Sequence, residues 1–363
     1  MNILQITPNF LSKRCNNNLN NNIKDSNYSS NPNMSYPNLK PLPCDTVSFG
    51  SKTKIVQEVT NELSKNKNFV WDPNNKRSMT VINAICDSFK EPLEKFHWDL
   101  KRVMRPITCT ESNPESIIMP GNRGIRGRVK EPKKVIRKAN KRNLTTIEQI
   151  ERMGDVGGER IVLRSGNPQD TAFVFKYLKE MVKKGYKVIE VENYRPTPKD
   201  SYVSQKTLED FEQYCNKHAQ YPSITNRALP NSYPAIHVSF ELSGGKVIEL
   251  QIMGRDVENF KEVEDLFYKY RCNEDFSDQY KPIEKMFKRL MPKLDDFQKE
   301  TLERYHKDSY EHARRLAPRS AKTKFTPEKA FLPFPYSLPQ ELSPVNLYYQ
   351  MAKYNRHRAA AKS

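Results

Sequence analysis

Residues 235–253 alternate apolar and polar side chains in two runs, interrupted only by Ser243-Gly244-Gly245-Lys246. A period of two on both sides of a glycine pair is the pattern of a β-hairpin with one buried face. Leu250 and Ile252 belong to the face turned toward the core. The opposite face carries His237, Glu249 and Gln251, and Asn231 and Tyr233 stand just ahead of the first strand. An unpaired buried charge is costly, so a carboxylate at 249 beside a core face calls for a specific partner.

The hairpin needs a larger sheet to pack in. Further strand patterns lie at 160–163 and 187–192, separated by a helical run from Gln169 to Lys184 that Gly185 closes. The β-α-β-β order predicts an α+β domain, not an all-helical or all-β one. Apolar residues at helical spacing predict helices over Lys54–Ser64 and Met79–Met104, the second with Val81, Ile82, Ile85, Phe89, Leu93, Phe96 and Leu100 on one side. Residues 256–315 return to helix. Six prolines between Pro318 and Pro344 rule out one continuous helix there, and Val345 to Arg356 suits a short basic helix. The expected organisation is a disordered Asn/Ser/Pro-rich leader over 1–50, a helical extension over 51–120 and a catalytic unit over 121–275. Helices over 276–315 and a proline-rich basic tail over 316–363 follow.

Composition narrows the class. Hydrophobic residues make up 36% of the 363 positions, which is low enough to expect part of the length to lie outside a core. The formal charge of +18 favours polyanionic partners such as nucleotides or nucleic acid. The six cysteines form no C-x-x-C pair and have no neighbouring histidine cluster, so a structural zinc site is not expected. No run of eighteen apolar residues occurs, and the start of the chain lacks the core of a signal peptide. These features predict a soluble, cytoplasmic protein with reduced thiols and no membrane partner.

Two further segments carry chemistry. The first runs from Arg128 and Lys130 through Pro132 to Lys133, Lys134, Arg137, Lys138, Lys141 and Arg142. Arg128 and Lys130 share a side of an extended segment, and Pro132 is well placed to start a helix on which Lys134 and Lys138 are one turn apart. Converging cations of this kind suit a triphosphate, and a guanidinium can also stack on a base; a solvated basic face would show the same pattern. The second is Asp155-Val156-Gly157-Gly158-Glu159-Arg160. An Asp at a strand entry, followed by glycines, suits a Mg²⁺ ligand, and Arg160 could neutralise charge beside it; a turn Asp with a surface Arg reads equally well. Tyr233 offers a stacking face, while Asn231, His237 and Gln251 can hydrogen-bond base, ribose or phosphate.

In their order, these pieces resemble the synthetase domain of the RelA/SpoT family, the alarmone synthetases that make guanosine tetra- and pentaphosphate. The resemblance rests on Arg128-Val129-Lys130 with Lys138, Asp155-Val156-Gly157-Gly158-Glu159-Arg160, Asn231-Ser232-Tyr233-Pro234-Ala235-Ile236-His237 and Glu249-Leu250-Gln251. Glu264 to Tyr270 adds the acidic-to-Tyr-Lys helix of that family. The match covers about residues 120–275 and implies a nucleotidyltransferase-like mixed sheet flanked by helices, with helical N- and C-terminal extensions. It also implies Mg²⁺-dependent transfer of pyrophosphate from ATP to the ribose 3′-hydroxyl of GDP or GTP. By that resemblance Arg128, Lys130, Lys138 and Arg160 bind ATP, and Asp155 and Glu249 hold Mg²⁺. Glu249 also activates the hydroxyl, while Asn231, Tyr233, His237 and Gln251 receive the acceptor.

The chain departs from the family pattern at Lys134 and Ala235, where the family has Ser, and at Met253, where it has Arg. Pro234 stiffens the loop ahead of the hairpin. No His-Asp pair occurs, so the family's metal-dependent hydrolase domain is not expected. Two alternatives stay open: a toxin-type relative that modifies the 3′ end of tRNA, which the +18 charge and basic tail favour, and a catalytically silent nucleotide- or RNA-binding protein, to which the departures point. A homo-oligomer is compatible with all three.

Overall fold

The computed structural model describes residues 70–360, apart from 112, 114–115, 196–200, 230, 275 and 321–324. The leader and the helix expected at Lys54–Ser64 lie outside the described residues. The first described helix, α1 (Lys76–Met104), starts where the Asn75 side chain accepts hydrogen bonds from the backbone N–H groups of Arg77 and Ser78, at 2.8 and 3.1 Å. Its apolar stripe is fully buried at Val81, Ile82, Phe89, Phe96 and Leu100.

A single six-stranded sheet follows. Its strands are β1 (Ile125–Val129), β2 (Gly157–Leu163), β3 (Lys187–Tyr194), β4 (Ser223–Arg227), β5 (Ala235–Glu241) and β6 (Val247–Gly254). Spatially they run β1-β2-β6-β5-β3-β4. The β2–β6 and β3–β4 pairs are parallel and the remaining pairs antiparallel, so the sheet is mixed and the fold is α+β. Helices α2 (Pro132–Lys141), α3 (Ile147–Glu151), α4 (Pro168–Lys183) and α5 (Gln205–Lys217) fall between the strands. Then come α6 (Arg255–Arg271), α7 (Lys281–Leu290), α8 (Asp296–Ser320), α9 (Pro327–Ala330) and α10 (Pro344–Ala360).

The register divides the sheet into two chemically different faces. Ile236 pairs with Ile252, Val238 with Leu250 and Phe240 with Ile248, so these side chains form one apolar face. Helix α1 packs on it: the Phe96 and Phe240 rings are 5.0–5.1 Å apart by centroid, as are Phe96 and Tyr186. Gly157 lets that helix approach, because a Cβ there would come within 3.1 Å of the Phe89 ring and 3.3 Å of Ile248. Truncating Phe89 to Ala would cost about 3–5 kcal/mol, the usual penalty for emptying an aromatic site.

The opposite face carries Arg126 and Arg128 on β1, Gly158 and Arg160 on β2, and Glu249 and Gln251 on β6. His237 on β5 and Glu190, Glu192 and Tyr194 on β3 complete it. The hairpin turn falls where the sequence puts it, with Gly244 and Gly245 both at positive φ (78° and 74°).

The C-terminal region is more ordered than its prolines suggest. Helix α8 continues past Arg315 to Ser320. Beyond it, Phe331, Leu338, Leu342 and Leu347 are buried in the same hydrophobic core as the sheet. Phe331 meets Phe260 of α6 at 6.1 Å between ring centroids.

Candidate active site

The site is built across the polar face by three neighbouring strands and the segment joining β1 to α2. Asp155 enters just before β2 and is 9% exposed. Lys130, tied to that loop by its backbone N–H donating to the Val156 carbonyl at 2.8 Å, places Nζ 3.1 Å from Asp155 Oδ2. Lys138 comes from the face of α2 turned to the sheet and contacts the same oxygen, with Arg142 one turn further at 3.9 Å. Burial and the neighbouring cations pull both lysines down, Lys130 to about 8 and Lys138 to about 7, against an opposing pull from Glu249. Four sequence-predicted residues (Lys130, Lys138, Asp155 and Glu249) therefore share one electrostatic neighbourhood.

A hydrogen-bonded chain runs across the strands from Arg160. Its guanidinium donates to Gln251 Oε1 at 3.0 and 3.3 Å and to Glu258 of α6 at 3.2 Å. Gln251 Nε2 donates to Glu249 Oε1 at 2.7 Å. Glu249 Oε2 lies 3.1 Å from His237 Nδ1, and His237 Nε2 lies 3.3 Å from the Tyr233 hydroxyl. Burial by itself would raise the Glu249 carboxyl, but His237, Gln251 and Lys138 outweigh it and hold the group at about 2. Glu249 is thus an ionised carboxylate between cationic and hydrogen-bonding neighbours on both sides.

The other predicted residues take varied positions. Arg128 is exposed on edge strand β1, open to a flat ligand. Asn231 lies in the loop before β5, where its side chain accepts a hydrogen bond from the Tyr233 backbone N–H at 3.3 Å. Tyr233 is only 7% exposed, and its ring is met by Tyr194, His237 and Tyr310 at centroid distances of 6.0, 5.9 and 5.6 Å. Ala235 is completely buried under Tyr194, its cross-strand partner. Lys134 pairs with Glu131 at 3.1 Å, away from Asp155.

Sequence reasoning missed three residues that the sheet adds. Glu192 stands opposite His237 on β3, and Tyr194 covers the His237 ring at 4.7 Å. Arg227 of β4 pairs with Glu192 at 2.8 Å. The signal was the spacing Glu190-x-Glu192-x-Tyr194, which sets three polar side chains on one side of a strand. It meant little until β3 was known to lie beside β5.

Residues 127–275 match the family model described as the region found in RelA / SpoT proteins. They form a RelA/SpoT domain. Every site residue predicted from the sequence falls inside it. Among solved structures, the chain resembles small alarmone synthetase 1 from Bacillus subtilis at 17% identity and a TM-score of 0.37, over 64% of this chain and 92% of that one. A GTP pyrophosphokinase family protein from Streptococcus pneumoniae matches at 15% identity and a TM-score of 0.34, over 66% of this chain and 97% of that one. The same Bacillus protein bound to its product pppGpp matches at 19% identity and a TM-score of 0.32, over 54% and 84%. No curated protein sequence matches the chain. Among the described residues no helix is long and apolar enough to cross a membrane.

Within the RelA/SpoT domain two donor sets could hold a cation. Asp155 and Glu249, the pair expected from the sequence, offer oxygen donors only. Asp155 Oδ1 is buried and accepts no hydrogen bond, and both carboxylates face the Lys130 and Lys138 ammonium groups. Oxygen donors alone suit Mg²⁺. Glu192, His237 and Glu249 form a second, mixed set.

Proposed function

We propose that this RelA/SpoT domain transfers pyrophosphate from ATP to the ribose 3′-hydroxyl of GDP or GTP, making guanosine tetra- or pentaphosphate, respectively. The observation that carries the reading is the position of Glu249. It is an ionised, half-buried carboxylate with the two lysines on one side and His237 and Gln251 on the other. Transfer of this kind needs little covalent chemistry from the protein; it needs aligned reactants and cations where charge builds up.

In this reading Arg128 stacks on adenine, and Lys130 and Lys138 hold the triphosphate, with Arg160 adding positive charge behind Gln251. Asp155 and Glu249 would hold Mg²⁺. That ion, when bound, neutralises charge on the transferring phosphates. His237, Gln251 and Asn231 orient the acceptor, whose base stacks against the Tyr194–Tyr233 pair. A carboxyl held near 2 is a weak base, so Glu249 first serves as an ionised ligand and hydrogen-bond acceptor for the hydroxyl. Its basicity rises as phosphate draws Lys138 away, since Lys138 is one of the groups holding it down. The 3′-oxygen then attacks the β-phosphorus, the bond to the α-phosphate oxygen breaks, AMP leaves, and Glu249 takes the hydroxyl proton.

The reading assigns catalysis to 121–275, with the flanking helices as its support, and a cytoplasmic setting where both nucleotides are found. The test is transfer of label from γ-labelled ATP, with Mg²⁺, to GDP, GTP or deacylated tRNA. Label in a guanosine product is the expected result. Label on tRNA alone would replace the nucleotide acceptor with the polynucleotide that the +18 charge also suits. Bound ATP with no transfer to any acceptor would sink the enzymatic reading.

A further inference from the structure

Glu192, His237 and Glu249 sit on three adjacent strands, β3, β5 and β6, all facing the same side. Their donor atoms lie within 4.8 Å of one another. His237 Nδ1 is 3.1 Å from Glu249 Oε2 and 4.0 Å from Glu192 Oε2. Bonds of about 2.0–2.2 Å from one ion to nitrogen and oxygen place donors roughly 3–4 Å apart, which is this spacing.

The imidazole adds an independent observation. His237 is 8% exposed, and Nδ1 is buried without being in line for any hydrogen bond, although it is aimed between two carboxylates. Its other nitrogen, Nε2, has a partner in the Tyr233 hydroxyl at 3.3 Å. In the tautomer that carries its proton on Nε2, toward the Tyr233 hydroxyl, the ring presents an Nδ1 lone pair to the two carboxylates, the usual arrangement of a metal-binding imidazole. The glutamates are held as well: Arg227 pairs with Glu192 at 2.8 Å, the Tyr194 hydroxyl donates to Glu192 at 3.0 Å, and Gln251 donates to Glu249 at 2.7 Å. The ligands thus stand on rigid strands with their outer partners in place.

We infer that Glu192, His237 and Glu249 form a binding site for a divalent transition-metal ion, distinct from the all-oxygen pair Asp155–Glu249 and sharing only Glu249 with it. An imidazole nitrogen with two carboxylates favours Mn²⁺, Co²⁺ or Zn²⁺ over Mg²⁺, which prefers oxygen donors and its own waters. Three protein ligands leave positions open on the acceptor side for water or a nucleotide oxygen. The inference rests on the reading of Glu249 as a metal ligand and extends it to the acceptor half of the site.

The test uses Co²⁺ as the probe, on the full-length, metal-free protein without an affinity tag and without nucleotide. Expected are saturable visible absorption from bound Co²⁺, displacement by Zn²⁺, and no displacement by a large excess of Mg²⁺. Glu192→Gln and His237→Asn should each weaken Co²⁺ binding at least tenfold, the lower end of the roughly 10–100-fold cost of losing even an outer partner. Asp155→Asn and His97→Asn should retain it. Unchanged binding in Glu192→Gln or His237→Asn, or displacement by equimolar Mg²⁺, would overturn the site. Should a variant not fold, a crystal of the parent protein soaked in Co²⁺ decides: an anomalous peak among the three side chains supports the site, and a peak elsewhere, or none, refutes it. Because no nucleotide is present, Co²⁺ can bind where transfer fails, and transfer can proceed where Co²⁺ does not bind.

Discussion

Two glutamates on neighbouring strands of one sheet, Glu159 buried and Glu249 half-buried, have opposite fates. Glu249 of β6 faces the polar side and is held ionised, at about 2, because His237, Gln251 and Lys138 outweigh its burial. Glu159 of β2 faces α1, and burial pushes it up to about 8, with only a modest downward pull from Lys101. Its close partner is His97 of α1, whose Nδ1 lies 3.1 Å from both carboxyl oxygens and whose own pKa is lowered by burial and by Lys101. Each member of that pair is pushed toward its neutral form. The comparison teaches that burial alone does not make a carboxylate reactive. What surrounds it on its own face of the sheet decides whether it keeps its charge.

The largest expected effect separates the two glutamates directly. Glu249→Gln should lower pyrophosphate transfer by about 10²–10⁴-fold, the usual worth of a positioned acid–base group, while ATP still binds. Glu159→Gln should leave transfer within a few-fold of the parent. Equal losses in both variants would erase the distinction between the faces.

A smaller effect tests the acceptor side. Tyr233→Ala should weaken acceptor binding by about 1–3 kcal/mol through lost stacking. Binding of the acceptor, followed by calorimetry alongside a melting curve, separates that loss from the packing lost with a buried ring. Unaltered acceptor affinity would remove Tyr233 from the site.

Crowding around Glu159 gives the next test. Gly127 on β1 lies across from Glu159, and a Cβ at Gly127 would fall 2.0 Å from its Oε1. Gly127→Ala should therefore destabilise the fold by about 1–3 kcal/mol, as overpacking does, measured by denaturant unfolding. Combining it with Glu159→Ala should recover part of that loss. A purely additive pair would show that the two residues do not press on each other.

The subtlest effect is a slope. The folded Glu159 carboxyl sits at about 8, above the ordinary glutamate value of 4.5, so the folded state holds the extra proton between those values. Its contribution to stability is complete below the lower value and is lost as pH rises through about 8. The lowered His97 contributes with the opposite sign, favouring the fold as pH rises through the imidazole range. Melting temperatures across that window should fall less steeply in Glu159→Gln than in the parent. Parallel curves would place Glu159 in the ionised state after all.

Much of the fold was legible because period and punctuation are local. The alternation at 235–253, the glycine pair, the stripe along α1 and the closure of α4 at Gly185 all came through with their ends within a few residues. Edge strands β1 and β4 were not read as strands, since five-residue segments rich in Arg, Gly, Ser and Asn carry little apolar alternation. Residues 316–363 read as a tail because prolines break helices. The sequence pattern does not show that Phe331, Leu338 and Leu347 find a shared core.

The sequence by itself determined which residue types could handle phosphate and a cation, and in what order they come. It also determined that Glu249 would share a strand side with Gln251, because a period of two is a property of the chain. The tertiary structure alone decided the partners. It set β3 beside β5, so that Glu192 meets His237, and β2 beside β6, so that Arg160 meets Gln251. It also put Glu159 on the apolar face, under α1. Those choices depend on which strands pair, and strand order is fixed by packing across the whole sheet. Local spacing carries no record of it.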